Sequence, residues 1–203
     1  MPPSWLPIAP PAVRATVFNP LAGRYCDPVA RTARLSRDMI VAAAWRIADE
    51  SGVDGLTLRE VAAALDTGQA SLYRHIADRR ELLALLADEI AAAMPRPDPA
   101  LPPAERLPAA WLAMHSYLAA HPWAARVIID GELLAHDGVM ITWSVIAAFE
   151  AYGVSRDDSI RAYRALFNLM LGHLLNRHPL GHGDLPGEAD FEWALHRFLA
   201  GLG

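Results

Sequence analysis

Apolar residues recur along most of the chain at intervals of three or four positions, the spacing of one face of an α-helix. The first stripe begins directly after Ser36, a residue type suited to an N-cap. It consists of Ile40, Ala44, Ile47 and Ala48. Val and Ile do not cluster with the strict alternation of a half-buried strand. The pattern therefore predicts an all-α fold.

Two capping boxes predict where further helices begin. Thr57 with Glu60 predicts a helix that ends near Leu65, and Asp78 with Glu81 predicts a longer helix to about residue 94. Between them, a short helix is expected over residues 69–75. A proline-rich stretch then follows, and five more helices are predicted beyond it. They cover about 104–120, 122–129, 133–152, 155–176 and 189–202.

These patterns divide the chain into three parts. Residues 1–34 are rich in proline, locally basic and without helical period, and we expect them to be disordered. Residues 35–94 form a first helical domain and residues 95–203 a second. Arg31 and Arg34 stand just before the first helix, where they suit an arm in the DNA minor groove or an untethered tail.

Polar side chains gather on the short third helix. Two short helices joined by a tight turn have helix-turn-helix geometry, in which the second helix of the pair enters the major groove. Gln69 and Arg74 are suited to base edges, and the phosphate-binding candidates are Ser71, Tyr73 and His75. Leu72 and Ile76, four positions apart, are the predicted buried side. The alternative is an ordinary solvated helix face.

Three motifs carry a family resemblance. They are Gly-Leu-Thr-x-Arg at 55–59, Ser-Leu-Tyr-Arg-His at 71–75 and Asp-Arg-Arg-Glu-Leu-Leu at 78–83. With them, residues 35–90 resemble the DNA-binding domain of the TetR (tetracycline-repressor-like) family. The resemblance implies an N-terminal helix-turn-helix domain and a C-terminal helical domain that binds an effector and dimerises.

The resemblance also implies roles for individual residues. Thr57 matches a cap that touches a phosphate, and Arg59 matches a position that reaches a base. The remaining implied DNA contacts are Gln69, Ala70, Ser71, Tyr73, His75 and Arg79. The turn departs from the family pattern, because Asp66, Thr67 and Gly68 stand where members usually have Gly, an apolar residue and a Ser or Thr cap.

The C-terminal half sets a few polar residues among aromatic ones. Such residues at helical spacing are often core, but effector sites in helical bundles have the same character. Our candidates for the effector site are Trp111, His115, Met140, Trp143 and Phe167. The last two predicted helices look like the family's dimerising pair. The candidates for the dimer interface are Leu166, Met170, Phe191, Leu195 and Phe198.

Charge and composition exclude several other classes. The net charge is -5, and every strongly basic side chain is arginine because the sequence contains no lysine. No run approaches the ~20 apolar residues of a membrane span, and the N-terminus does not resemble a signal peptide. A single cysteine, Cys26, excludes a disulfide framework. We therefore expect a cytoplasmic protein without cofactors.

Neither an enzyme nor a metal site is predicted. No nucleophile, base and orienting group converge in the pattern. His173, His178, His182 and Asp184 lie near one another in sequence, but no helix holds the last three at ligand spacing. His121 lies roughly where tetracycline-binding members of the family supply a metal ligand, and it also reads as part of a helix-ending His-Pro pair.

Taken with the resemblance, these patterns predict a ligand-responsive transcriptional regulator. We expect a repressor that binds a palindromic double-stranded operator as a homodimer and is released by a small apolar or aromatic effector. The alternative is an interaction protein of the same fold with weak or no DNA binding, which the acidic balance and the altered turn would suit.

Overall fold

The structure, a computed structural model, describes two short strands and residues 35–129, 136–176 and 187–202. The chain divides into two compact units, Met1–Leu35 and Ser36–Gly203. Within the described part of the second unit every regular element is a helix. The all-α prediction is confirmed for this unit.

A small β-hairpin lies in the N-terminal unit. Strand β1 (Val17–Asn19) pairs antiparallel with β2 (Arg24–Cys26), and Phe18 faces Tyr25 in the register. This pair of three-residue strands is a local departure from the all-α expectation. The rest of residues 1–34, including Arg31 and Arg34, lies outside the described residues, and disorder there stays a prediction.

Four helices lie between residues 35 and 94. They are α1 (Arg37–Ser51), α2 (Leu58–Ala64), α3 (Gln69–Leu72) and α4 (Arg79–Ala93). Only α3 is clearly shorter than predicted, because it ends at Leu72. The amides of His75 and Ile76 both donate to the Leu72 carbonyl, at 2.8 and 2.9 Å. These bonds close one further hydrogen-bonded turn after Leu72, but the regular helix does not continue through it.

Side-chain caps fix the starts of these helices. The Ser36 hydroxyl accepts from the backbone amide three residues later at 3.2 Å. Thr57 and Glu60 complete the predicted box, with bonds of 3.2 and 3.0 Å. The second box forms only in part: the Asp78 carboxylate accepts from the Glu81 amide at 2.8 Å, but the Glu81 carboxylate binds the amide of residue 77 instead of the Asp78 amide.

Five helices are described beyond the proline-rich break. They are α5 (Pro103–Ala120), α6 (Pro122–Ile129), α7 (His136–Tyr152), α8 (Arg156–Leu175) and α9 (Gly187–Ala200). The predicted start of α7 near residue 133 lies outside the described residues. Among the described helices, none is both long and apolar enough to cross a bilayer.

The C-terminal helices pack around a common core and also touch the N-terminal ones. Helix α7 packs against α5 and α8, and α9 packs against α5 and α8. Helix α4 contacts α6 and α7, and α1 contacts α6. The two halves are thus in direct contact within one compact unit, and the domain boundary at residues 94/95 stays a prediction.

Candidate nucleic-acid interface

Helix α3 separates an apolar side from a polar side. Leu72 and Ile76 are 0% and 1% exposed, so they anchor the helix on the core. The Tyr73 side chain is 53% exposed. The other exposed candidates are Gln69, Ala70 and Arg74, and the half-buried ones are Ser71 and His75. This orientation agrees with the sequence pattern, while contact with DNA stays a prediction.

A hydrogen bond orders the two most prominent polar residues of this surface. Gln69 Nε2 donates to Tyr73 Oη at 3.2 Å across one helical turn. The phenol oxygen accepts this bond, so its own O–H remains available to donate outward. The arrangement presents one amide and one hydroxyl donor side by side, as a base edge and a neighbouring phosphate require.

Helix α2 supplies two further candidates. Arg59 is exposed in the first turn of the helix. The Thr57 hydroxyl is already engaged, because it donates to Glu60 Oε2 at 3.2 Å while accepting the Glu60 amide. A phosphate would have to compete with the Glu60 carboxylate for the Thr57 hydroxyl proton.

Arg79, for which the resemblance implies a DNA contact, has a structural role in the free protein. Its Nη2 donates to the Val53 carbonyl at 2.7 Å and its Nε donates to the Leu56 carbonyl at 2.8 Å. The side chain therefore ties the start of α4 to the loop that leads into α2. The sequence pattern did not indicate this, because the accepting groups are backbone carbonyls more than twenty residues away.

The unusual turn before α3 keeps helix-turn-helix geometry by other means. Asp66 adopts a left-handed backbone with φ of 49°, a region that Asp tolerates better than most residues. Gly68 provides no side-chain cap, but its carbonyl accepts the Ser71 amide at 2.8 Å. Thr67 is half-buried, and its amide donates to the Ala62 carbonyl at 3.0 Å. The departures from the family pattern therefore do not displace the helix.

A buried aromatic cluster brings together part of the predicted effector site. Trp111 is 0% exposed and lies 6.0 Å from Tyr163, which stacks on Phe167 at 5.5 Å. Thr142 and Tyr163 share a hydrogen bond of 2.9 Å. Burial raises the pKa of Tyr163, and the Thr142 bond opposes that shift. The Trp111 indole N–H is buried without a hydrogen-bond partner among the described residues.

His115 lies beside this cluster, in a second buried contact group. Its Nε2 is 3.0 Å from Nδ1 of His173, and its ring stacks on Phe191 at 4.4 Å. His115 is 3% exposed. The contact joins α5, α8 and α9 at the centre of the C-terminal helices.

Two of the predicted effector residues lie elsewhere. Met140 and Trp143 are 50% and 46% exposed on α7, and the Arg156 guanidinium lies 5.5 Å from the Trp143 ring centre. They do not join the buried aromatic cluster within the chain. The hydrophobic pattern of α7 did not distinguish its inner from its outer side, because apolar residues occupy both.

Most of the predicted dimer residues are core residues instead. Leu166, Met170, Phe191 and Leu195 are each at most 1% exposed within a single chain, so a partner cannot reach them. Their helical spacing reflects packing inside the subunit and not contact with a partner. Phe198, by contrast, is half-buried and lines an open groove of about 380 Å³ between the start of α8 and the end of α9.

The exposed side of these two helices carries other large apolar groups. Leu169 on α8 is 39% exposed and Trp193 on α9 is 64% exposed. The Arg197 guanidinium lies 5.7 Å from the Trp193 ring centre. These residues, which sequence reasoning missed as interface candidates, replace the four core residues as candidates for contact with a partner.

Among the described residues, no three His, Cys, Asp or Glu side chains are placed to share a metal ion. His121 Nδ1 is 2.8 Å from Asp49 Oδ1, so a neighbouring carboxylate already engages the candidate ligand. His178, His182 and Asp184 lie outside the described residues, and the expectation about them is untested.

Comparison with known proteins supports the family resemblance. Residues 40–86 match the family profile described as "Bacterial regulatory proteins, tetR family". The chain is 37% identical over 146 residues to the HTH-type transcriptional repressor DrrR1 of Streptomyces coeruleorubidus, covering 68% of this chain and 52% of that protein. It likewise spans 65% of a regulator from Saccharopolyspora erythraea, so it covers less than two thirds of either relative.

Solved structures match over a larger share of their length. BioQ, crystallised with its natural double-stranded DNA operator, aligns at 27% identity with a TM-score of 0.68, covering 83% of this chain and 98% of BioQ. ActR of Streptomyces coelicolor, in complex with (S)-DNPA, aligns at 26% identity with a TM-score of 0.68, covering 84% and 98%. The profile match, the related repressor and the shared fold confirm the resemblance of the chain to the TetR family.

Proposed function

We propose that the chain is a DNA-binding transcriptional regulator that acts as a homodimeric repressor. The observation that carries the proposal is the segment 69–76, helix α3 with the turn after it, which buries Leu72 and Ile76 and turns Gln69, Tyr73 and Arg74 outward. A short helix anchored in this way can enter the major groove. The relatives described above are named as regulators and repressors, and BioQ was crystallised on its operator. Such a protein would act in the cytoplasm, with the chromosome.

Dimerisation would place two copies of α3 on one face of the DNA. Half-sites of a palindrome one helical turn apart require recognition helices roughly 34 Å apart. The exposed Leu169 and Trp193 on α8 and α9 are the side chains we propose for the subunit contact, together with the half-buried Phe198. Burying them against a second copy would remove a large apolar area from water.

The buried aromatic cluster is the proposed effector site. Trp111, Tyr163 and Phe167 favour a flat, largely apolar molecule. The Trp111 N–H has no partner in the described part of the chain, so the molecule would be expected to bring a hydrogen-bond acceptor, such as a carbonyl oxygen. Effector binding would release DNA only if the effector prefers the conformation with displaced recognition helices.

The proposal is tested by offering the purified full-length chain fragmented genomic DNA and sequencing what is retained. A regulator should enrich a short palindrome, and its affinity for that site in a gel shift should fall steeply with salt. Retention of no defined sequence at any salt concentration would favour the interaction protein of the same fold.

A further inference from the structure

A set of hydrogen bonds joins the end of α1 to α6. Trp123 Nε1 donates to Asp49 Oδ1 at 2.6 Å, and His121 Nδ1 lies 2.8 Å from the same oxygen. One turn further along α6, Arg126 forms an ion pair with Asp54 in the loop after α1. All the donors stand at or on α6, and all the acceptors stand on α1 or its loop.

Aromatic packing holds these donors in place. The Trp45 ring, on α1, contacts the rings of His121 and Trp123 edge-on at 5.2 and 4.9 Å. Tyr117, on α5, contacts His121 from another side at 5.3 Å. Trp45 and Trp123 are only 5% and 4% exposed, so the Trp123 indole approaches Asp49 from the buried side, while the Asp49 side chain stays in contact with water.

The same loop is held from its other side by α4. Arg79 donates to the carbonyls of Val53 and Leu56, as described above. Helix α2 begins two residues later, at Leu58, and α2 packs on both α1 and α3. Helices α6 and α4 therefore both bind the segment 49–56, which lies immediately before the helix-turn-helix.

The position of Asp49 is unfavourable for α1 taken alone. A carboxylate in the last turn faces the negative end of the helix dipole, and α1 has no basic residue in that turn to offset it. Where a sequence departs from a local preference, another requirement commonly explains it. Here the requirement is an acceptor for the two donors at the start of α6.

We propose that Asp49 is a positioning residue that couples the C-terminal helices to the pose of the recognition helix. Hydrogen bonds are short and directional, so a shift of about 1 Å in α6 would break them and leave the Trp123 N–H without its acceptor. The segment 49–56 would then lose one of its two supports. The regulatory consequence, a changed affinity for the operator, rests on the proposed function.

The test is amide hydrogen exchange on the free full-length chain. Asp49→Ala removes the acceptor, and Trp123→Phe removes the donor but keeps a ring. Exchange in residues 58–72 should be on the order of tenfold faster in each variant. The double variant should show no further increase, because both changes break the same bond. Faster exchange confined to residues 45–49 and 121–126 would overturn the proposal.

Two matched variants exclude simpler explanations. Glu50→Ala makes the same charge change one position along α1, at an exposed side chain, and should leave exchange in residues 58–72 unchanged. Asp49→Asn keeps the oxygen that both donors reach and should remain close to wild type. If Glu50→Ala or Asp49→Asn accelerates exchange as much as Asp49→Ala does, the positioning role is wrong.

Operator affinity, measured in parallel, separates this inference from the proposed function. If the wild type binds no defined DNA while the exchange pattern holds, the regulator proposal fails and the coupling stands. If the wild type binds an operator but exchange at residues 58–72 is the same in wild type and Asp49→Ala, the coupling is wrong and the regulator proposal stands.

Discussion

Gln69 donates its side-chain N–H to the hydroxyl of Tyr73, with 3.2 Å between Nε2 and Oη. The bond connects the residue best suited to a base edge with the residue best suited to a phosphate. It restrains two long side chains before DNA arrives, so less conformational entropy remains to be lost on binding. Recognition and positioning are therefore coupled on this surface.

Tyr73→Phe should weaken binding to the operator and to unrelated DNA alike, because phosphates carry no sequence information. Losing one hydrogen bond to a charged group corresponds to about a tenfold loss. Gln69→Ala should instead reduce discrimination at one base pair, by ~1–3 kcal/mol. Gel shifts on the operator and its single-base variants distinguish the two. Equal losses for both substitutions on every sequence would contradict these assignments.

Arg79→Met should lower the free energy of unfolding by ~1–3 kcal/mol, because the two hydrogen bonds from the guanidinium to the carbonyls of Val53 and Leu56 are lost. Arg74→Ala, at an exposed side chain of the same region, should change it by less than ~0.5 kcal/mol. Urea denaturation of both variants checks this. If the Arg79→Met protein kept wild-type stability but lost DNA binding, the structural role would be wrong and a direct contact between Arg79 and a phosphate would be supported.

Trp193→Glu should shift the proposed dimer towards monomer while leaving the helical content intact, because the side chain is 64% exposed in one chain. Phe191→Ala should instead cost ~3–5 kcal/mol of folding stability, since it empties a core position. Analytical ultracentrifugation and thermal denaturation together separate the two effects. If the Trp193→Glu protein remained dimeric at low concentration, the subunit interface would have to lie on another surface.

Tyr117→Phe should be tolerated at neutral pH, because the buried Tyr117 hydroxyl has no hydrogen-bond partner among the described residues. Burial, with the nearby carboxylates of Asp49 and Glu89, raises the pKa of Tyr117 to about 12. The Tyr117 hydroxyl loses its proton near pH 10.0 in the unfolded chain and only at higher pH in the folded chain. The free energy of unfolding therefore falls as the pH rises from about 10 to about 12.

Urea titrations between pH 8 and pH 12 measure this effect as the difference between wild type and Tyr117→Phe. Relative to the variant, the wild type should be constant in stability below about pH 10 and should lose stability above it. A difference that did not change with pH would mean that Tyr117 ionises equally easily in both states.

Local signals in the sequence were sufficient to place the described helices and most of their ends, although α3 ends earlier than predicted. Ser36, Thr57 and Asp78 act on backbone amides within four residues, and the apolar stripes depend only on the 3.6-residue period. The outward-facing residues of α3 follow from the same local rule, once Leu72 and Ile76 are assigned to the core. Interactions of this kind can be predicted from the sequence because the residues that make them are close together along the chain.

Which apolar faces meet inside the subunit, and which remain exposed, depends on contacts between distant parts of the chain. Leu166 and Phe191 show the same helical spacing that an interface would, but both are core: α5 and α7 pack on α8, and α5 and α8 pack on α9. Arg79 and Asp49 acquire their roles from partners 23 to 74 residues away. The helical spacing of apolar residues indicates that a helix has an apolar face. What packs against that face depends on how distant segments of the chain come together.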